Sequence, residues 1–325
     1  MPTLADLARD ERSARMVLAI VAEPNHPSTG GLLANLGGIE TVKLIESESS
    51  VPGMDLVDAA VWRDRARSRI TVDRVAEIMA ESDRFEFVTP ADQGWPVQLS
   101  DLSVRAPYGL WARGDADLLK IDRQHLVTFS GARAATGYGQ HVTEELAGDL
   151  AYRNVTIVAG GAYGIEGAAH SSALSRGRST IAVLASGLDR PYPSGHADLF
   201  DRIGQSGLIV SETPPGSAPT RQRFIDRSRL LAAFSAATVI VEAGTRSGSM
   251  HVATEAESLG RQLGALPGPV TSAASYGTNL LLQQGRAKVI TNASDIADMI
   301  THDDSVHEAP SIGMPVARSG QQRTL

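Results

Sequence analysis

The 325 residues contain no cysteine. Disulfides and thiolate metal sites are therefore excluded, which suits a reducing compartment. Aromatic residues make up only 5% of the chain, so few rings are available for stacking, and any nucleic-acid footprint is expected to be short and dominated by backbone contacts. No apolar run approaches the roughly 20 residues that span a bilayer. The start Met1-Pro-Thr-Leu-Ala-Asp6 has no basic stretch leading into an apolar one, so a cytoplasmic location without membrane contact is expected.

Motifs for energy-driven or redox chemistry are missing as well. The ATPase loop G-x-x-x-x-G-K-[ST] does not occur. Gly160-Gly161-Ala-Tyr-Gly164 departs from the dinucleotide fingerprint, and Leu184-Ala-Ser-Gly187 stands where an acid would hold a ribose. No serine or cysteine elbow is recognisable and no second histidine lies at metal-ligand spacing from His170. The expectation is a protein without cofactor, metal or catalytic residue, with His170 a buried helix histidine bonded to backbone.

What is present is an ordinary globular composition, 42% hydrophobic and 21% charged with a formal charge of -7, on a chain long enough for a full core and a smaller second unit. Residues 1–84 show helical spacing at Ser13 to Val21, Gly30 to Leu36 and Val72 to Met79. Residues 85–120 form a proline-broken connector with strand-like Phe85 to Val88 and Tyr108 to Ala112. Beyond it, short β-rich runs alternate with helical patterns to about residue 300, the signature of a parallel sheet covered on both faces. Strands are expected at Leu126 to Phe129, Val155 to Ala159, Thr180 to Leu184, Leu208 to Ser211, Thr238 to Val241, Gln262 to Leu266 and Lys288 to Ile290. Residues 301–325 are polar and without apolar periodicity, which predicts a disordered tail.

In such α/β sheets, ligands sit outside the carboxyl ends of the strands, and those loops are glycine-rich here. Ser130-Gly131-Ala-Arg133, Gly160-Gly161-Ala-Tyr-Gly164, Ser186-Gly187-Leu-Asp189-Arg190 and Gly244-Thr-Arg246-Ser247-Gly248 all follow expected strands. Arg221, Arg223, Arg227 and Arg229 cluster around the single acid Asp226. Concentrated against an acidic background, this cluster reads as an anion site. Arg133 can reach a phosphate from its glycine turn. Arg190 and Tyr192 offer a cation and a ring for an unstacked base. Arg227 and Arg229, with Arg246, Ser247 and Ser249, either complete this concave side or build an internal ion-pair network with Glu212 and Glu242, and the task expected of Glu242 is to orient arginines.

Read in order, Ser130-Gly-Ala-Arg133 with Tyr138-Gly139, Gly161 to His170, Ile181 to Asp189 with Tyr192-Pro193, Ser211 to Gly216, Phe224 to Ala232, Glu242 to Met250 and Pro267-Gly268 resemble the DNA processing protein A family over roughly residues 85–300. The resemblance implies a Rossmann-like, doubly wound, mostly parallel α/β sheet over residues 85–300, preceded by a small SAM-like helical domain. It also implies single-stranded DNA binding in natural transformation and DNA recombination, assistance in loading the RecA recombinase, and a homodimer. The DNA-binding residues it implies are Gly131, Arg133, Gly161, Arg190, Tyr192, Arg227, Arg229, Arg246, Ser247 and Ser249.

Two alternatives remain open at this level. A nucleotide-binding sensor could use the same anion crevice. A related Rossmann-like group of nucleoside-monophosphate phosphoribohydrolases uses a Gly-Thr-x-x-Glu glutamate, where this chain has Gly248 in Gly244-Thr-Arg-Ser-Gly248.

Overall fold

The computed structural model describes residues 3–301. Five helices open the chain: α1 (Leu4–Leu7), α2 (Glu11–Val21), α3 (Pro27–Glu46), α4 (Leu56–Ser68) and α5 (Val72–Glu81). Local chemistry sets their ends. Thr3 and Asp10 form reciprocal capping boxes at α1 and α2, Asp55 and Thr71 cap α4 and α5, and Pro27 takes the first turn of α3, where its missing N–H costs nothing. Within α3 the backbone breaks at Gly37, where φ of 81° favours glycine. The next amide, of Gly38, donates to Glu11 Oε2 at 2.7 Å, so the kink is tied to α2.

Three strands come next, and from the third onward strands and α-helices alternate. They are β1 (Glu86–Val88), β2 (Leu110–Gly114), β3 (Leu126–Ser130), α6 (Gly137–Tyr152), β4 (Thr156–Ala159), α7 (Ile165–Ser175), β5 (Thr180–Leu184), α8 (Ala197–Ser206) and β6 (Leu208–Ser211). Then come α9 (Arg221–Phe234), β7 (Ala237–Ile240), α10 (Ser249–Ser258), β8 (Gln262–Ala265), α11 (Tyr276–Gln283), β9 (Lys288–Val289) and α12 (Ala293–Thr301). One nine-stranded sheet has the order β1-β2-β6-β5-β4-β3-β7-β8-β9. Only the β1–β2 and β2–β6 pairs are antiparallel. The expected α/β, mostly parallel, doubly wound sheet is therefore the architecture of the chain.

Alternation along each strand divides the core. On β3, Val127 and Phe129 join Leu146, Leu150, Ile165 and Ile296 from α6, α7 and α12 on one face. Leu126 of the same strand joins Leu230, Leu231 and Phe234 of α9 on the other, and Thr128 donates to Leu231 O there at 2.6 Å. Because neighbouring side chains on a strand point to opposite faces, both faces must be covered, and a continuously buried strand such as β5 results. The core of the first helices runs on through Phe87, Tyr108 and Trp111 to Ala182, Leu184 and Phe200.

The chain travels outward from β3 to β6 and then returns across the sheet through α9 to β7, which pairs with β3 in register Thr128↔Thr238. The order reverses between these two strands, so the loops after β3 and β7 diverge and leave a crevice at the sheet's carboxyl edge. The tail expected over 301–325 lies, apart from Thr301, outside the described residues.

Candidate nucleic-acid interface

The crevice is a cleft of about 860 Å³ bounded by the loops after β3 and β7, the start of α9 and the first turn of α10. Its edge is built by the segment after β3. Ala132 N donates to Glu242 O at 2.7 Å, and the Glu242 carboxylate accepts from Thr136 N at 2.9 Å and Thr136 Oγ1 at 2.6 Å. Glu242 was expected to orient arginines, but among the described residues its carboxylate bonds Thr136 and pairs with no arginine. It secures the loop that carries Arg133 to the start of α6. Gly139 makes this possible, because a Cβ there would lie 2.3 Å from Glu242 Oε2. Gly131 is confined in the same way, a Cβ meeting Ile165 Cγ1 at 2.5 Å.

Arg133 is exposed and its guanidinium lies 4.6 Å from the centroid of the Phe224 ring. It forms no ion pair among the described residues, so its charge is held by a ring and remains available to an anion. Arg221 and Arg246 also line the cleft, exposed and without an ion pair among the described residues. No side chain caps α10, and its first turn opens on the same space with Gly248 and Ser249. Ser247 Oγ and Ser249 Oγ stand 2.8 Å apart beside it. Tyr192 closes one side, half-exposed, with its ring edge-on to Phe224 at 5.9 Å.

The floor is different. Arg227 is buried and donates through Nη1 to Gly160 O at 2.9 Å and Val183 O at 3.1 Å. Its Nη2 lies 3.7 Å from Glu166 Oε1. Burial lowers its pKa, with the Glu166 carboxylate acting against that and Arg133 adding to it. Glu166 is itself buried and accepts from Ser130 Oγ at 3.1 Å and Ala162 N at 2.9 Å. This near-neutral pair braces the cleft, and the free positive charge stands at its rim.

The structure places three of the expected residues elsewhere. Arg229 is fully buried on the opposite side of α9, donating to both Glu212 oxygens at 2.7 and 2.6 Å, to Asp226 O at 2.7 Å and to Arg105 O at 2.7 Å. Burial opposes its charge, but the Glu212 carboxylate and its hydrogen bonds hold the pKa above the ordinary arginine value. Of the alternatives left open by the sequence, the internal ion pair is the one formed. Arg190 is exposed, 4.0 Å from Asp189, and lies outside the cleft lining. Gly161 also lies outside it; its carbonyl pairs with His196 Nδ1 at 2.9 Å. Gly131, Arg133, Tyr192, Arg227, Arg246, Ser247 and Ser249 do come together.

Arg221, part of the arginine cluster expected to form an anion site, lines the cleft, and Phe224 is the contributor that sequence reasoning missed. The signal was available in outline: Phe224 precedes Arg227 by three positions and so shares its helix face. His170 is buried as expected; its Nδ1 meets the Thr180 hydroxyl at 2.8 Å, and the Ala159 backbone supports its charged form against the stronger effect of burial. Thr180 donates onward to Ile157 O, so His170 Nδ1 carries the proton. Burial pushes its pKa down to about 3.

Among the described residues no helix is long and apolar enough to cross a membrane. The family model for DNA recombination-mediator protein A matches residues 86–301. The chain is 41% identical over 299 residues to the putative DNA processing protein DprA of Mycobacterium tuberculosis, covering 88% of this chain and 74% of that protein. It is 35% identical over 221 residues to DNA processing protein DprA of Streptococcus pneumoniae, covering 68% and 76%. The solved DprA of S. pneumoniae superposes with a TM-score of 0.72 at 28% identity over 91% of this chain and 98% of that one. DNA processing protein A of Helicobacter pylori, solved for its single-stranded DNA binding mode, superposes with a TM-score of 0.60 at 32% identity over 67% and 97%. A cleft with free arginines at the crossover of a doubly wound sheet, and a match over most of the chain, lead to one assignment: the chain belongs to the DNA recombination-mediator protein A family.

Proposed function

We propose that this chain binds the backbone of single-stranded DNA in the cleft between β3 and β7, turns over no substrate, and in the cytoplasm assists the loading of RecA recombinase as a homodimer. The observation that carries the reading is Arg133, exposed, stacked on Phe224 and free of any carboxylate among the described residues. Arg221, Arg246 and the open first turn of α10 extend the same surface. The half-exposed Tyr192 ring suits an unstacked base, which a duplex does not offer. The single-stranded DNA binding mode of the H. pylori relative supports the choice of ligand. Two copies, each presenting one such cleft, would hold a strand by avidity without new contacts.

The test is an anisotropy titration of a labelled oligonucleotide against a duplex of equal length and against AMP, across a range of salt. The expected result is preference for the single strand with a salt slope of about -2, from three neutralised phosphates at roughly 0.7 each. Equal duplex affinity would refute the single-strand preference. Tighter binding of AMP, or release of ribose 5-phosphate from it, would replace this reading with the nucleotide sensor or the phosphoribohydrolase.

A further inference from the structure

A second cleft, of about 550 Å³, lies on the far side of Arg133 and is lined by Gln140, Glu144, Tyr163 and His196. Arg133 lines both clefts. Three rings lead from the core to its wall. Phe200 is fully buried, His196 packs edge-on to it at 6.2 Å, and Tyr163 packs against His196 at 4.6 Å and 77°. Edge-on packing on one side leaves at least one face of the Tyr163 ring clear of His196. The residue is 46% exposed and its hydroxyl has no hydrogen bond among the described residues.

The sequence makes room for this arrangement at two glycines. A Cβ on Gly195 would lie 2.2 Å from Tyr163 Oη, and one on Gly167 would lie 2.5 Å from His196 Cε1. The rings are thus held by close backbone and by the His196 Nδ1 contact to Gly161 O at 2.9 Å. An exposed ring fixed in this way loses little freedom when a flat ligand covers it. The polar lining disfavours a second phosphate beside the one Arg133 would hold: Glu144 is an acid, and Arg133 is the one arginine or lysine lining this cleft among the described residues. Gln140 and Glu144 instead offer an amide and an acceptor suited to a base edge.

We propose that Tyr163 is a stacking platform for an unpaired nucleobase, so that a single strand passes from the main cleft over Arg133 and lays a base into the second cleft. The proposal rests on the main cleft being a single-stranded DNA site. It would place the two half-exposed tyrosines, Tyr163 and Tyr192, on either side of one phosphate-binding arginine.

Base stacking and backbone charge can be separated with two probes. The full chain, as wild type, Tyr163→Ala and Tyr163→Phe, is titrated with labelled oligothymidylate of about 12 nucleotides and with an abasic deoxyribose-phosphate chain of equal length. Tyr163→Ala is expected to weaken the thymidylate about five- to hundredfold, following the typical worth of one stacked base. It should leave the abasic chain and the salt slope unchanged, and Tyr163→Phe should bind as wild type. Wild-type affinity for thymidylate in Tyr163→Ala would overturn the proposal. So would equal weakening of both probes, which would mark Tyr163 as a support of the loop. A wild-type protein that binds neither probe would instead refute the main-cleft reading and take this one with it.

Discussion

Replacing Arg229 by alanine is expected to unfold the protein more readily without addressing DNA at all. The guanidinium has no exposed surface and satisfies four acceptors: both oxygens of Glu212, Asp226 O and Arg105 O. Truncation leaves the buried Glu212 carboxylate unpaired and opens a void among α9, the connector and the first helices. Breaking a buried pair from one side costs about 3–5 kcal/mol. With an unfolding entropy of about 2.1 cal/mol/K per residue, a chain of this length should lose roughly 4–7 °C in melting temperature. The double variant Arg229→Met/Glu212→Leu removes both charges and keeps apolar volume, so it should recover most of the loss. Thermal melts and oligonucleotide titrations on the same preparations decide the matter. A stable Arg229→Ala protein with weakened DNA binding would refute the buried-pair account and return Arg229 to the binding surface.

Gly164 has φ of 74°, and a Cβ there would lie 2.3 Å from Ala132 O and 2.6 Å from Arg133 O, so Gly164→Ala should cost about 1–3 kcal/mol in a denaturant melt and weaken DNA binding by displacing the Arg133 loop. His170, with a folded pKa of about 3 against 6.5 in the unfolded chain, makes the unfolded state the better proton binder between those values. Its share of stability is complete above pH 6.5 and falls on acidification, by about 2 kcal/mol at pH 5; urea melts of wild type and His170→Gln from pH 7.5 to 5 should converge, and parallel curves would refute this.

The sheet was legible because its strands are short apolar runs between glycine loops, so the parallel strands from β3 to β9 stand within a residue or so of expectation. Strand β7 starts one residue earlier than expected, at Ala237, because alanine carries no strand signal and pairing with β3 and β8 decides its state. The site was legible as a set of loops but not as directions. Arg227 and Arg229 stand two positions apart on α9, about 200° around the helix, so they cannot share a face; one braces the cleft and the other is buried with Glu212. Glu242 was read as a partner for arginines because the chain does not disclose that β7 ends beside the start of α6. His196 and Tyr163 lie far apart in sequence and meet only because α7 and α8 cover the same face of the sheet.

The central claim is that Arg133 carries free positive charge for a strand's phosphate. Titrating Arg133→Ala with a single-stranded oligonucleotide from low to moderate salt, beside a thermal melt, tests it most directly. Loss of a charge-assisted contact worth about 1.5–3 kcal/mol predicts an affinity reduced roughly tenfold or more and a salt slope shallower by about 0.7. The melting temperature should move by no more than about 2 °C, the worth of one exposed cation–π contact. Unchanged affinity and slope in a folded Arg133→Ala protein would contradict the account.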